Sequence, residues 1–181
     1  MAGSVLILTG PPGAGKSTVA DILATTSQQP SAHLHTDDFY DRYIKSGYVL
    51  PWLLESQRQN ETVTNAIAAA ATEYACGGYF TIIDGVVGPW FLGSYRAAAR
   101  AKNIALDYIV LRPQSADIAF ARVQQRATHG LKAERPVRDL YRQFSDLGEF
   151  ERHAFDAGTL SAEETADAIR DGLAAERYRL R

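Results

Sequence analysis

The feature that most constrains the fold is a glycine-rich turn between an apolar run and an amphipathic pattern. The apolar run covers residues 5–8, and the turn reads Gly-Pro-Pro-Gly-Ala-Gly-Lys-Ser-Thr over residues 10–18. Val19, Ile22 and Leu23 then form the apolar stripe of a helix. The motif G-x-x-x-x-G-K-[ST] binds phosphate when a buried strand enters it and a helix leaves it. A turn that is merely tight has no need of the Gly-Lys-Ser-Thr ending, so the sequence predicts a P-loop.

Each residue type in this loop has a role in holding a polyphosphate. Glycines let the backbone curl so that successive N–H groups point inward, and the following helix adds its positive N-terminal end. We expect Lys16 to bridge the β- and γ-phosphates and Ser17 to bind magnesium, which makes ATP and Mg²⁺ the predicted cofactors. The predicted nucleotide-binding residues of the loop are Gly10, Gly13, Ala14, Gly15, Lys16, Ser17 and Thr18.

Length and composition narrow the class of protein. A length of 181 residues suits one α/β domain over residues 1–181. The net charge of −2 predicts no general attraction to nucleic acid. No signal-like segment and no apolar stretch long enough for a membrane span occur, so we expect a cytoplasmic protein. Cys76 is the only cysteine, which excludes an intramolecular disulfide, and we expect it to be half-buried.

Apolar runs alternate with helical patterns along the chain. Predicted strands cover residues 5–9, 33–35, 80–84, 104–111 and, weakly, 153–156. Predicted helices cover residues 16–26, 57–75, 90–101, 115–127, 137–148 and 161–176. This alternation indicates βαβ units and a parallel sheet covered on both faces, which is an α/β fold.

Three shorter signals refine this outline. Ser115 is expected to cap its helix, and Ser161 with Glu164 has the spacing of a capping box. The basic residues 177–181 are expected to be a solvated end.

An acidic pair, Asp37 and Asp38, follows the second predicted strand. In an open parallel sheet, ligands bind beyond the carboxyl ends of the strands, so this pair faces the same crevice as the P-loop. An alcohol that accepts a phosphoryl group must lose a proton, and a carboxylate is the usual receiver. We therefore expect Asp37 to be the catalytic base and Asp38 to cap the helix that follows. His35 is expected to pack or to make a hydrogen bond.

The segment over residues 37–55 bears on the nature of the acceptor. A phosphate dianion would need arginines, whereas this segment has only Arg42 and Lys45 as cations. Its aromatic side chains are Tyr40, Tyr43, Tyr48 and Trp52. This balance favours a neutral, partly apolar hydroxyl compound, and Tyr40 is a predicted substrate contact.

The third predicted strand ends in Asp84, which Gly85 follows. In P-loop enzymes an aspartate at this place holds magnesium, directly or through water, so Asp84 is a predicted metal ligand at the substrate. Gly85 would let the chain turn sharply after it. The alternative is that Asp84 only caps the turn. Residues 86–91 are predicted to form an apolar wall near the acceptor, with Trp90 as a substrate contact. The alternative is that Trp90 and Phe91 belong to the hydrophobic core, since the sequence does not distinguish a pocket wall from a core.

Arg122 and Arg126 lie four residues apart on one face of a predicted helix. A basic loop over residues 128–136 follows, and we interpret it as a lid. Guanidinium groups that close over a transferred phosphoryl group stabilise its charge and exclude water. We therefore expect Arg126 to be catalytic and both arginines to bind nucleotide, with Arg135 and Arg138 as further candidates. The alternative is an exposed charged helix.

Over nearly its whole length the chain resembles the small P-loop kinases of the adenylate and shikimate kinase type. The resemblance rests on the P-loop, on Asp37 after strand two, on Asp84-Gly85, and on Arg122 and Arg126 before a lid. Within that group the chain is most similar to the chloramphenicol phosphotransferase-like kinases of antibiotics or metabolites. In those kinases an aspartate like Asp37 is the base toward a substrate hydroxyl.

The resemblance implies a three-layer fold around a sheet of five parallel strands. It also implies a helical substrate-binding segment over residues 38–75 and a lid over residues 128–136. Arg122 would stack near adenine, with Gly158 and Thr159 on the other side. Two departures matter. His35 stands where shikimate kinases have an extra magnesium-binding aspartate, and Arg42 is a loose match to the acceptor arginine of nucleoside monophosphate kinases.

The function predicted from the sequence is therefore ATP- and Mg²⁺-dependent phosphorylation of a hydroxyl on a small molecule. A cytidylate-type nucleoside monophosphate kinase is the second reading, with Arg42, Arg58 or Arg96 on the acceptor phosphate. A nucleotide-binding switch protein is the third. The predicted lid argues against it, because a switch has less need to shield phosphate from water.

Overall fold

Five parallel strands form a single sheet in the computed structural model, which describes residues 3–125 and 133–181. The strands are β1 (Ser4–Thr9), β2 (Ser31–His35), β3 (Phe80–Asp84), β4 (Ala105–Arg112) and β5 (Ala154–Asp156). Their order across the sheet is β2-β3-β1-β4-β5, and every pair is parallel. The predicted five-stranded parallel sheet is thus confirmed. β1 lies at its centre, so the segment that follows β1 leaves from the middle of the carboxyl edge.

Helices cover both faces of this sheet. They are α1 (Lys16–Thr25), α2 (Thr36–Asp41), α3 (Gln57–Cys76), α4 (Leu92–Ala101), α5 (Ala116–Gln124), α6 (Glu134–Gln143) and α7 (Ala162–Ala174). Short 3-10 segments lie at Leu54–Ser56, Pro89–Phe91 and Gly148–His153. In the described residues no helix is both long and apolar enough to cross a membrane.

The alternation of side chains along β1 divides the core in two. Val5 and Ile7 belong to an apolar cluster under α3 and α4, whereas Leu6 and Leu8 belong to one under α1 and α7. All four are at most 1% exposed. Successive side chains of a strand point to opposite faces, so a continuous apolar run is what a strand with both faces covered requires. The three-layer prediction is confirmed.

Both predicted helix caps are present. The Ser115 hydroxyl accepts from the Ile118 N–H at the start of α5, and Ser161 forms the full capping box with Glu164 at α7. The predicted start of α6 at residue 137 is wrong, because the helix begins at Glu134. Pro136 falls within its first turn, where a missing N–H costs nothing.

Two expectations about single segments are also wrong. Cys76 is exposed rather than half-buried, because Ala75 takes the buried position in the last turn of α3. The basic end is not solvated along its whole length, since Tyr178 is 1% exposed and Leu180 is 9% exposed. The Tyr108 N–H donates to the Tyr178 carbonyl, and the Leu180 N–H donates to the Leu106 carbonyl. This tail therefore lies along the edge of β4.

Candidate functional site: a phosphate loop facing an acidic crevice

The P-loop turns at three glycines with positive φ, which are Gly10 (140°), Gly13 (83°) and Gly15 (87°). Two of them also make room for neighbouring backbone. A Cβ at Gly10 would lie 2.1 Å from the Leu111 carbonyl oxygen, and one at Gly13 would lie 2.2 Å from that of Ala119. Gly15, the N-cap of α1, is required by its left-handed backbone alone. The loop thus packs against the chain that runs from β4 into α5.

Lys16 is the first residue of α1 and is only 6% exposed. Its Nζ donates to the carbonyl oxygens of Gly10 and Pro11, both at 3.0 Å, and so lies over the loop. Ala14 is buried in the core, which leaves its backbone as the part that faces the loop, and the Thr18 side chain is exposed. A charged donor at a helix N-terminus is suited to hold an anion.

Asp84 ends β3 beside this loop and is fully buried. Its Oδ2 lies 3.1 Å from His33 Nε2 and 3.9 Å from His35 Nε2, while its Oδ1 has no hydrogen-bond partner within the described residues. Burial acts to raise the pKa of the Asp84 carboxyl. The His33 hydrogen bond, with the charges of His35 and Lys16 and a hydrogen bond from the Ser17 side chain, outweighs burial and lowers that pKa. Asp84 is therefore a carboxylate with one oxygen held and one unpaired.

Sequence reasoning missed the role of His33. Its signal was the two-residue spacing to His35, which puts both imidazoles on one face of β2, together with the pairing of β2 with β3. His35 Nε2 also lies 3.5 Å from Ser17 Oγ, so the expectation that His35 makes a hydrogen bond is confirmed.

The residues near the loop fit a magnesium ion. Mg²⁺ in nucleotide sites takes one or two protein ligands and completes its shell with substrate phosphates and water. The unpaired Oδ1 of Asp84 and the hydroxyl of Ser17 match that requirement. The described part of the chain has no group of three or more His, Cys, Asp or Glu side chains that could hold a metal by itself.

Asp37 and Asp38 lie inside the first turn of α2, whose N-cap is His35. The expectation that Asp38 is the cap is therefore wrong, because the helix begins before it. The Asp38 carboxylate instead pairs with Arg42 Nε at 2.9 Å, one helical turn later. Asp37 is exposed.

Gly85 explains how α2 comes to lie against the end of β3. Its φ is not positive, so the predicted sharp bend is not the reason for a glycine. A Cβ at Gly85 would instead lie 1.7 Å from Thr36 Oγ1. The close approach of Thr36 to Gly85 brings Asp37 and Asp84 to the same edge of the sheet.

Two tyrosines, Tyr40 and Tyr48, lie close enough to Asp37 for its charge to affect their pKa. Burial raises the pKa of Tyr40 to about 12, and the nearby Asp37 charge adds to that rise. The pKa of Tyr48 is also raised, by burial first and then by Asp41 and Asp37. Both phenols are therefore protonated at neutral pH and can donate a hydrogen bond to a ligand or to Asp37.

Trp90 is exposed to 53%, and a Cβ on Gly88 would lie 2.2 Å from its ring. Trp90 is therefore not ordinary core, and its place near an acceptor stays a prediction, whereas Phe91 packs partly buried against the core. Gly88 directly follows Val87, whose N–H donates to Thr9 Oγ1 at 2.8 Å. Since Thr9 ends β1, this contact ties the wall to the root of the P-loop.

The predicted lid is only partly described. Arg126 and residues 128–132 lie outside the described residues. Arg122 is exposed on α5, with its Nη1 3.5 Å from the Gly13 carbonyl oxygen. Arg135 is exposed, and Arg138 pairs with Glu134 and Asp117. Of the candidate arginines in the described ranges, Arg122 is therefore the one bonded to the P-loop.

A cleft of about 340 Å³ lies at the carboxyl ends of β4 and β5. Gly158, with φ of 56°, lines it together with Arg112, Pro113, Tyr141 and Asp156, and Thr159 does not. Arg112 is held by Asp156 and Glu151. The predicted adenine residues Arg122 and Gly158 thus lie on different elements beyond the same carboxyl edge.

A P-loop on the central strand and an acidic crevice beyond the carboxyl edge define an α/β protein of the P-loop kinase fold. The sequence matches the AAA domain family over residues 5–147, and the chain belongs to that family. No curated protein matches the sequence significantly.

Solved structures agree on the fold across nearly the whole chain. The APS kinase of Mycobacterium tuberculosis in complex with AMPPNP and APS is 16% identical with a TM-score of 0.70, covering 96% of this chain and 98% of that one. A sugar kinase from Janibacter is 17% identical with a TM-score of 0.69, covering 95% of each chain. Shikimate kinase from Acinetobacter baumannii, with shikimate bound, is 18% identical with a TM-score of 0.62, covering 96% and 94%.

Proposed function

We propose that this chain is an ATP- and Mg²⁺-dependent phosphotransferase that moves the γ-phosphoryl group to a hydroxyl of a small molecule. The observation that carries the proposal is the meeting of Lys16, Asp84 and Asp37 at one edge of the sheet. Three similar folds are named as kinases of APS, a sugar and shikimate, and one of them holds AMPPNP, which supports a nucleotide donor. The domain over residues 1–181 would work as one unit.

The donor half would use the P-loop and its neighbours. Lys16 leaves the carbonyls of Gly10 and Pro11 to bridge the β- and γ-phosphates, to which the loop amides also donate. Ser17 and Asp84 would hold Mg²⁺, which supplies positive charge to the phosphate oxygens when bound. Arg122, and Arg126 beyond the described residues, would neutralise the migrating group. Gly158 and Thr159 would lie by the adenine.

The acceptor half would use Asp37. An acceptor hydroxyl forms a bond to the γ-phosphorus, the bond from that phosphorus to the β–γ bridging oxygen breaks, and ADP leaves. The hydroxyl proton passes to the Asp37 carboxylate, which is exposed and free to meet it. Tyr40 would position the hydroxyl, with Asp84 and Trp90 on the other side. An aspartate base like Asp37 is what the resemblance to the chloramphenicol phosphotransferase-like kinases implies, and we propose these as the nearest branch.

Replacing Asp37 by asparagine tests the proposal. Asp37→Asn keeps the size of the side chain but cannot take the proton, so transfer should fall by at least about a hundredfold. Affinity for ATP, measured with a fluorescent analogue, should stay within about threefold because Asp37 lies outside the P-loop. Asp38→Asn is the matched control and should keep its turnover. Near-normal turnover of Asp37→Asn would show that Asp37 is not the base.

Observations on two arginines disfavour a nucleoside monophosphate as the acceptor. Arg42 is paired with Asp38, and Arg96 Nη2 donates to the Arg181 carbonyl oxygen at 2.6 Å. Both guanidinium groups would have to leave these partners before they held an acceptor phosphate. An activity panel of nucleoside monophosphates against uncharged and amine-bearing alcohols separates the two functions.

A further inference from the structure

A larger cleft of about 450 Å³ lies between the start of α3 and the start of α4. Its lining includes Trp52, Leu54, Asn60, Glu61, Trp90 and Ser94. One wall is the segment before α3 with the first turns of that helix, and the other is the turn that carries Trp90. Through Trp90, Gly88 and Val87 this second wall continues to the root of the P-loop.

The first wall is fixed by side-chain to backbone hydrogen bonds. The Gln59 amide accepts from the Val49 N–H at 2.8 Å and donates to the Val49 carbonyl at 2.7 Å. Ser56 Oγ lies 2.8 Å from the Pro51 carbonyl oxygen and 2.6 Å from that of Leu53, and its single proton is shared between them. The irregular segment before α3 is thereby held in one position against the helix.

Asn60 offers an unused hydrogen-bond acceptor in this cleft. It is 7% exposed, and its Nδ2 donates to the Pro51 carbonyl at 2.8 Å and to Ser56 Oγ at 2.9 Å. These two bonds use both N–H groups and fix the orientation of the amide. Its Oδ1 is buried without a partner in the described structure. A buried acceptor of this kind gains most from a ligand that donates, such as a hydroxyl or an ammonium group.

The charge of the cleft has one sign. Glu61 is the only charged side chain among the lining residues of the described structure, and its Oε1 accepts from Gln57 Nε2 at 3.1 Å. A carboxylate, sulfate or phosphate on the ligand would meet this carboxylate and no cation in the lining. An ammonium group would meet an opposite charge instead.

Two indole rings face the same space. Trp52 is exposed to 51% and Trp90 to 53%, although tryptophan is usually well buried. The face of an indole is the strongest aromatic site for a cation in proteins. Two such rings with a nearby carboxylate make a site for a positively charged group that also has an apolar face.

We propose that the phosphoryl acceptor is a hydroxyl compound that bears an amine and no anionic group, an inference that rests on the proposed function. Its ammonium group lies by Glu61 and the indole faces of Trp52 and Trp90, and a hydroxyl or N–H of the same molecule donates to Asn60 Oδ1. The cleft thus selects the acceptor, while Asp37 takes the proton from the hydroxyl that reacts.

Intrinsic fluorescence reports on this cleft directly, because Trp52 and Trp90 are the only tryptophans of the chain. The probe is a panel of hydroxyl compounds in matched sets: amino sugars and aryl amino alcohols, their N-acetylated forms, and the corresponding sugar acids. We expect the amines to change the fluorescence and to bind about tenfold more tightly than their acetylated forms, with no response to the acids. Tighter binding of the acids or the acetylated forms, or a response to none of the three sets, overturns the proposal.

Replacing Glu61 by glutamine tests how much its negative charge contributes to ligand binding. Glu61→Gln should weaken binding of the best amine by about fivefold, the range of one exposed ion pair, and leave its acetylated form unchanged. Glu55→Gln removes the same charge six residues earlier, in the 3-10 segment before α3 and outside the lining, and should change neither. Equal effects of the two substitutions would show that general charge, not the cleft, selects the ligand.

Two readouts keep this inference apart from the proposed function. Binding of a fluorescent ATP analogue and phosphoryl transfer are measured separately from the tryptophan signal. Amine binding without any transfer of phosphate would contradict the phosphotransferase proposal while supporting the ligand class. Transfer to an anionic acceptor would support the phosphotransferase and overturn the ligand class.

Discussion

At the scale of single residues, His33 decides which oxygen of Asp84 is left for another partner. Its Nε2 holds Oδ2 at 3.1 Å, and Oδ1 stays buried and unpaired among the described residues. A neighbour that orients a metal-binding carboxylate is worth about ten- to a hundredfold in metal affinity in other proteins. His33 is therefore a positioning residue for the proposed magnesium site.

We predict that His33→Ala weakens Mg²⁺ binding by about tenfold, because Asp84 loses the partner that orients it. The measurement is calorimetric titration of Mg²⁺ into the protein with AMPPNP present. His33→Asn keeps a hydrogen-bond donor and should restore part of the affinity. Unchanged Mg²⁺ affinity in His33→Ala would show that Asp84 needs no such support.

Gly85 and Gly93 form a matched pair for a stability test. A Cβ at Gly85 would lie 1.7 Å from Thr36 Oγ1, whereas one at Gly93, within α4, would meet nothing within 4 Å. We expect Gly85→Ala to cost about 1–3 kcal/mol in the free energy of unfolding, because α2 must shift. Gly93→Ala should gain up to about 1 kcal/mol from helix propensity. Urea unfolding measures both, and equal values would contradict the proposed contact.

At the scale of elements, the tail completes an edge that β5 leaves open. β5 pairs only with Val110–Arg112 of β4, and the tail pairs with Leu106–Tyr108 on the same side. Arg179 Nε also donates to Asp107 Oδ1 at 3.1 Å. Unpaired strand edges are open to pairing with other chains, so this tail protects β4.

Tyr178 is the side chain through which the tail is anchored, with its ring over Gly172 of α7. Since Tyr178 is fully buried, Tyr178→Ala should lower the free energy of unfolding by about 3–5 kcal/mol. Tyr74→Ala removes the same atoms from a side chain that is 45% exposed, and should cost about 1 kcal/mol or less. The measurement is denaturant unfolding, and a small loss for Tyr178→Ala would show that the tail adds little.

Most elements were predictable from the sequence, and the exceptions have physical reasons. The strands and long helices carry apolar periods that burial imposes on them. α2 is six residues long and forms where Thr36 meets Gly85, a contact no local pattern contains. The tail does carry a signal, because Arg-Tyr-Arg-Leu-Arg alternates like a half-buried strand, but its three arginines are equally typical of a solvated end.

At the scale of the whole molecule, the buried His153 makes the stability of the fold depend on pH. It is fully buried, its Nδ1 lies 3.0 Å from the Tyr108 carbonyl oxygen, and its Nε2 accepts from Arg152 Nε. These partners assign a neutral ring with the proton on Nδ1. Burial, with the charges of Arg152 and Arg96, lowers the pKa of His153.

A histidine whose pKa is lowered on folding contributes stability that is complete above about pH 6.5 and is lost as the pH falls, because the unfolded chain takes the proton first. We predict that wild-type stability falls between pH 7 and 5 more steeply than that of His153→Gln, by up to about 1.4 kcal/mol per pH unit. Urea unfolding across this range measures the difference. Parallel curves would show that His153 is not the linked group.

The candidate site, like the fold, has some features that the sequence predicts and others that it does not. The P-loop, the acidic pair that follows β2 and the aspartate that ends β3 are predicted by motif and by position relative to the strands, which the sequence displays. The His33–Asp84 contact depends on the register between strands, and the cleft by Trp52 depends on how residues 42–54 pack. Neither the contact nor the cleft is marked by a periodic pattern of residues in the sequence. The roles of the site residues, and the single domain over residues 1–181, stay predictions.

The position of β1 has a consequence for how such a molecule changes over generations. The P-loop follows a strand that is hydrogen-bonded on both sides, whereas the first wall of the 450 Å³ cleft is held mainly by the side chains of Ser56, Gln59 and Asn60. A few substitutions in that wall would remodel it without disturbing the sheet. A lineage of such chains can therefore change the ligand of this cleft while it inherits the phosphate loop intact.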